Sequence, residues 1–348
     1  TLFRSLCYNR EKSVGGIMRI QLNLDSIAVL LFCGDLIVDN TAPLSLEEWN
    51  DVERKLKSSS RKTPSKLFGM NKDTLIQILG IDEYIAYKMI ARLSTLNDLM
   101  FALANLENEG IFITTKYEDN YPKVLMTSLK KRAPLYFYYV GDLSITSSPM
   151  ISVVGPQDLE RRLNSFTKNV VTKIYDEEKV LVSNGTKGTD AYALKTFMNL
   201  GGKAVCVVSD HMFDKKKTYS KYIKDGRMVL MSAVDPFAYF NVTNALDRNI
   251  YVCGLCDNQI ITATHINSGS VWFTTIQNFH YHWTKQLVLD DDHYGGNIRL
   301  LEMGAIKLTY EDILSLLTIE QIIEKNEVVE EEVEVLVDQM SIYEFLDE

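Results

Sequence analysis

The stretch "LVSNGTKGTDAYAL", residues 181–194, runs from a short apolar segment through two glycines spaced three apart into residues that can open a helix. Strand, glycine turn and helix start form the unit from which α/β proteins build anion sites, because backbone N–H groups and the helix dipole converge there. It is not a Walker A loop: GxxxxGK[ST] needs Lys after the glycine, and here Lys187 precedes Gly188. It is not the GxGxxG dinucleotide fingerprint either, since only Gly185 and Gly188 are present. What remains is Ser183, Gly185 and Gly188 for backbone freedom and N–H groups, Lys187 for positive charge, and Asp190 in the first turn of a helix. On this stretch alone, a tight βα turn without a ligand is an equal alternative.

Working outward, "PLYFYYVG", "MISVVG", "KVLVSN", "KAVCVVSD", "RMVLMSA", "NIYVCGL", "NQIITATH" and "KQLVLDD" read as strands. Between two of them, residues 158–177 place Leu159, Leu163, Phe166, Val170 and Ile174 on one helical stripe. The alternation predicts an α/β fold: a Rossmann-like three-layer αβα domain with a mostly parallel sheet and ligand sites at the strand C-terminal ends. Upstream, from Met18 to about Glu109, the period is helical. "SLEEWNDVERKL" opens with Ser45 and Glu48 at capping-box spacing. "LGIDEYIAYKMIARL" suggests a small helix-hairpin-helix or sterile-alpha-motif unit, with an ordinary helical bundle as the alternative. Residues 1–17 lack periodicity and are set aside as a non-native leader. The expected organisation is then a helical domain over 18–115, the α/β domain over 116–319 and an acidic tail over 320–348.

The formal net charge of −9 conceals an uneven distribution. Residues 320–348 hold eleven acids and one Lys, −10 in all, so the rest of the chain carries +1. A near-neutral body leaves a nucleic-acid partner open. Its cations cluster: Arg54, Lys55, Lys57, Arg61, Lys62 and Lys66 in one break; Lys123, Lys130, Lys131 and Arg132 beside "YFYY"; and Lys215, Lys216, Lys217, Lys221, Lys224 and Arg227 around Tyr219 and Tyr222. Charge interleaved with aromatics suits a single-strand binder, although solvated lysines over a buried strand would look the same. The tail reads as a docking segment or as an electrostatic competitor for a basic groove. Five cysteines, mostly in apolar runs, fit a reducing, cytoplasmic setting, and no signal peptide or membrane span is present.

Taken in order, "YPKVL" at 121, "VVGPQ" at 153, "VSNGTKGTD" at 182, "GGKAVCVVSD" at 201, "RNIYVCGLC" at 248, "SGS" at 268 and "GGNIRLLEMGA" at 295 resemble the motif series of the bacterial DNA-processing protein DprA (Smf) family. The likeness spans roughly residues 18–317. It implies a helical domain followed by an extended Rossmann-like domain, single-stranded DNA as partner, and delivery of that strand to a RecA-type recombinase during natural transformation. It leaves room for a homodimer and calls for no cofactor. Gly155, Ser183, Lys187, Gly188, Asp190, Arg248, Asn249, Ser268, Gly269 and Asn297 fall on family motif positions and, with Gly185, form the expected DNA- or phosphate-binding set. Gly155, the 183–190 turn, Asn249 and Ser268–Gly269 are expected around one pocket. The chain also departs from the pattern. Pro156 and Gln157 replace a motif's Ser or Thr and Arg, Asn184 replaces a Gly, Leu194 a His, Ile250 an Arg and Ala263 a Glu. Losing that Arg removes a bidentate phosphate partner.

Other constellations carry less. Cys253 and Cys256 have redox spacing without a second CxxC, and His280, His282 and Asp290–His293 read as polar residues flanking a strand rather than as metal ligands. No GxSxG, HExxH or PGGxGTxxE motif is present, so the reading is not an enzyme, and a nucleoside-processing hydrolase is disfavoured. The leading expectation is a single-stranded-DNA-binding accessory of recombination. The alternative is a sensor of a nucleotide-derived small molecule from the same Rossmann-like superfamily, with phage defence as one setting.

Overall fold

Apolar runs such as "VLVS" and "AVCVV" can be covered on both faces only inside a sheet flanked by two helix layers. The computed structural model, which describes residues 22–37, 41–158 and 160–327, has that arrangement. Its strands are β1 (Phe112–Thr115), β2 (Tyr136–Val140), β3 (Met150–Val154), β4 (Val180–Ser183), β5 (Ala204–Val208), β6 (Met228–Ser232), β7 (Asn258–Ile261), β8 (Lys285–Leu289) and β9 (Ile306–Leu308). They form one sheet in the order β1-β2-β6-β5-β4-β3-β7-β8-β9. From β3 to β6, and from β3 through β7 to β9, neighbours are parallel; β1 and β2 are antiparallel. Every residue of β3 to β7 is buried.

Among the described residues, the N-terminal region supplies α1 (Leu24–Cys33), α2 (Leu46–Ser58), α3 (Lys72–Leu79), α4 (Glu83–Leu93) and α5 (Leu96–Asn108). Further on come α6 (Val124–Ser128), α7 (Arg161–Asp176), α8 (Thr189–Leu200), α9 (Met212–Thr218), α10 (Ser220–Lys224), α11 (Val242–Leu255), α12 (Gly269–Tyr281), α13 (Gly295–Glu302), α14 (Tyr310–Leu314) and α15 (Ile319–Asn326). The capping box of Ser45 and Glu48 is formed. Gly80, left-handed at φ 62°, ends α3 and Asp82 caps α4, so the hairpin suggested by sequence is two helices joined by a tight turn. The buried Arg92 of α4 donates to the carbonyls of Leu31, Gly34 and Thr41 and so closes the end of α1. Leu30, Leu99 and Leu103 join the apolar cluster that covers β1, β3 and β4, so helical region and sheet share a core. None of the described helices is long and apolar enough to cross a membrane.

Three expectations are corrected. "NIYVCGL" is helical, lying in α11: Asn241 caps its start, and the buried Arg248, Asn249, Val252, Cys253 and Leu255 follow a helical period that a short apolar run conceals. The sheet begins at Phe112, ahead of the boundary at 116, because Phe112–Thr115 pair with Tyr136–Tyr139. The acidic tail does not begin at 320. Thr318 and Gln321 form a capping box, and α15 buries Ile319, Ile322 and Ile323 in the main core. The leader, Leu159 and residues 328–348 lie outside the described residues.

Candidate functional site

After β3 the chain winds outward through β4, β5 and β6, then returns through α11 to β7 on the other side of β3. The crevice beyond the C-terminal ends of β3 and β7 is therefore the topological switch point, where open α/β sheets bind ligands. Two glycines let the backbone close around it. A Cβ on Gly155 would lie 2.1 Å from Thr262 Oγ1 and 2.7 Å from Thr189 Oγ1. Gly188 has φ 92°, and a Cβ there would lie 2.3 Å from the Pro156 carbonyl oxygen. That carbonyl accepts from the Thr189 N–H at 3.1 Å and from its hydroxyl at 3.2 Å, stitching the exit of β3 to the start of α8.

The same stitching corrects the expected anion cradle. The Gly185 N–H donates to Ser183 Oγ, the Thr186 N–H to Asn184 Oδ1 and the Thr189 N–H to Pro156 O. Three amides of the turn are thus engaged within the protein. Lys187 is also not in the crevice: its side chain is 82% exposed, 3.7 Å from an Asp158 carboxylate that is itself exposed.

Gly155, Gln157, Asn184, Asp190, Asn249 and Ser270 are among the residues that do line the crevice. Asp190 is buried, and its Oδ1 accepts no hydrogen bond. Burial pushes its carboxyl up to about 7, against the pull of the Arg248 guanidinium, of the backbone N–H groups of Asp190 and Gly155 and of the Asn184 amide. Arg248, from α11, is buried too. It donates to Asn249 Oδ1 at 3.0 and 3.2 Å and to Ser209 Oγ at 3.3 Å. Asn184 Nδ2 donates to the same Asn249 oxygen at 3.4 Å. Burial lowers the Arg248 pKa, while Asp190 and Asp210 hold its charge in place. The result is a pocket wall of neutral amides around one buried carboxyl group, with the Arg248 cation turned into the protein.

The remaining expected residues separate. Ser268 precedes α12, Gly269 opens it at φ 79° with open space where a Cβ would stand, and the next residue, Ser270, is the one on the crevice wall. Asn297 engages its amide inside the protein. It is fully buried, accepts from Thr264 N, and donates to the Thr262 and Leu289 carbonyls, so its amide ties the ends of β7 and β8 together. Cys253 and Cys256 are buried thiols raised by burial, Cys253 to about 12, which makes neither a thiolate at neutral pH. Of the metal-ligand candidates, Asp291, Asp292 and His293 bring ligand atoms within 4.8 Å without His280 or His282, and Asp291 is bound to Arg162 at 2.5 Å.

Sequence reasoning did not count Asn184, Gln157 or Gln259 as functional. Gln259 was findable as the polar residue inside an apolar strand. It pairs across the sheet with Ser152 and Gln286, and its Nε2 donates to Ser152 Oγ at 3.2 Å.

Fold and crevice together define an α/β protein of the extended Rossmann-like kind, with an N-terminal helical region and a crevice at the sheet's switch point. Residues 112–318 match the family model of DNA recombination-mediator protein A, and the chain belongs to that family. It is 28% identical over 143 residues, 40% of this chain, to the DNA processing protein DprA of Streptococcus pneumoniae (strain ATCC BAA-255 / R6), and spans about half the length of that curated relative. The X-ray structure of DprA from Streptococcus pneumoniae superposes with TM-score 0.64 at 20% identity, over 84% of this chain and 97% of that one, which establishes the shared fold. DNA processing protein A from Helicobacter pylori, solved for its single-stranded DNA binding mode, is more remote: TM-score 0.49 at 19% identity, over 59% and 92% of the two chains.

Proposed function

We propose that this protein binds single-stranded DNA, taking one nucleotide into the β3/β7 crevice by its base edge or sugar, and serves DNA recombination by passing the strand to a RecA-type recombinase. The unpartnered Asp190 Oδ1 carries the reading. A buried acceptor without a donor costs about 1–3 kcal/mol, which a ligand N–H or O–H would recover. Above about pH 7, where Asp190 is ionised, a phosphate would instead meet a carboxylate, so phosphates belong on the exposed cations outside. Membership of a recombination-mediator family supports the setting. Gly155, Ser183, Gly185, Gly188 and Gly269 shape the site; Asp190 and Asn249 face the ligand; Arg248 positions Asn249.

Fluorescence anisotropy with single-stranded and duplex DNA, at two salt concentrations and pH 8, tests this. Single strands should bind and duplex should not. Asp190→Asn, which exchanges acceptor for donor, should weaken binding about tenfold. Tighter binding by that variant would place a phosphate against residue 190 and overturn the reading.

A second reading has its own support. Gln157 stands on the crevice wall where the family pattern has Arg, which suits a free nucleoside-type ligand. Calorimetry that finds a mononucleotide bound in the crevice, with single strands ignored, would favour a sensor.

A further inference from the structure

The loop between β6 and α11 holds three aromatic rings out in solvent within four residues. Phe237 is 54% exposed, Tyr239 80% and Phe240 64%. Such a patch is costly to keep wet, and nothing in the helical capping or the core uses it. Nor is the loop slack. Phe237 N donates to Asp235 Oδ1 at 2.7 Å and Ala238 N to Asp235 O at 2.9 Å, a tight turn. Two further bonds, His211 N to Ala238 O at 2.8 Å and Phe213 N to Pro236 O at 3.1 Å, clamp it to the start of α9. The rings are thus presented on a fixed backbone.

Two of them pack on rings at the start of α9, and cations stand beyond. Phe237 packs on Phe213 with centroids 5.1 Å apart, and the ammonium groups of Lys217 and Lys216 stand 4.4 and 5.4 Å from that Phe213 ring. Tyr239 sets edge-to-face against His211 at 5.3 Å. Lys217 holds only an exposed partner, Asp214, at 3.4 Å, an ion pair that phosphate can displace. The position is equally specific. His211 and Phe213 follow β5 and the aromatic loop follows β6, so the platform lies at the same end of the parallel sheet as the crevice. Arg248 spans the two, with Asn249 on one side and Ser209 on the other. Tyr219, after α9, reaches the glycine turn, since a Cβ on Gly185 would lie 3.1 Å from its hydroxyl.

Resting on the reading of the crevice as a single-strand site, we infer that Phe237, Tyr239 and Phe240 form a base-stacking platform along which the DNA strand continues from the crevice, with Lys217 of α9 beside its phosphates. Charge selects this occupant over a second copy or another protein. Between 210 and 235 the segment has six Lys or Arg against four Asp, and the ammonium groups of Lys216 and Lys217 stand over the Phe213 ring on which Phe237 packs. Flat rings beside cations suit unpaired bases, which any sequence offers, and not duplex DNA, whose faces are already stacked.

The test uses the full chain and thymidine oligonucleotides of two lengths, about 4 and about 15 nucleotides, within the span single-strand sites cover. Tyr239→Ser with Phe240→Ser alters two exposed side chains. It should leave the short oligonucleotide bound as by the parent and weaken the long one tenfold or more. An abasic oligonucleotide of the long length should bind parent and variant alike. Tyr239→Trp should be quenched on adding the long oligonucleotide and not on adding the abasic one. Equal affinity of parent and double variant for the long oligonucleotide would overturn the platform, while Asp190→Asn still reported separately on the crevice. Dissociation of a dimer by the double variant, with DNA affinity unchanged, would assign the rings to a second copy and overturn it too.

Discussion

The Gly188 backbone passes so close to Pro156 that a single methyl group would come within 2.3 Å of the proline's carbonyl oxygen. The contact joins the exits of two neighbouring strands, and it occurs at φ 92°, where side-chain-bearing residues are strained. Gly188→Val should therefore destabilise the fold by about 2 kcal/mol or more, read as a lowered urea midpoint. A midpoint matching the parent's would mean that the two loops separate freely.

Asp190 ties stability to pH. The folded chain keeps this carboxyl protonated up to about 7, whereas its ordinary value is 3.8. Below the ordinary value both states hold the proton and there is no penalty. Between the two values the unfolded chain releases it and the folded chain does not, so stability falls as pH rises, then levels above about 7. Asp190→Asn should match the parent near pH 4 and exceed it at pH 8 by on the order of a few kcal/mol. Urea titrations at both pH values check this; equal pH slopes would refute it.

Asn297 should behave as a structural tie. Asn297→Ala leaves the Thr264 N–H and two carbonyls without their partner. A loss of about 1–3 kcal/mol in stability is expected, with the DNA affinity of the folded variant unchanged at low temperature. A selective loss of affinity at full stability would return this residue to the binding set.

Lys187 should matter little. Its ammonium lies in solvent beside Asp158, where salt screens it. Lys187→Ala is expected to weaken single-strand binding less than threefold at physiological salt. A tenfold loss would show that the turn swings its lysine onto the strand.

The parallel core was legible because buried strands such as "VLVS", "AVCVV" and "MVLMS" have little besides apolar residues to offer. The Val242–Leu255 helix was not, since "NIYVCGL" satisfies a strand pattern and its helical face is revealed only by what packs against it. β9 is three residues long, too short for any period. In the site, motif order pointed to Gly155, Asp190 and Asn249, which line one crevice, and passed over Asn184 beside them. It did not separate Asn297, which ties two strand ends, from the crevice residues, because an amide that ties two strands and an amide that holds a ligand look identical in sequence. Lys187 misled for a related reason: a glycine turn fixes where the backbone goes and leaves a lysine free to point away.

The last described helix has a consequence for solubility. Among the described residues β9 is an edge strand, with carbonyl and N–H groups that another chain's strand could extend. Asn326 Nδ2 donates to the Lys307 carbonyl in the middle of that strand, and Lys325 and Asn326 are fastened to Asp312. The helix over Ile319–Asn326 therefore acts as a guard rail against edge-to-edge polymerisation. Removing it would strip the cover from Ile322 and Ile323's side of the core and offer the bare edge to the next molecule.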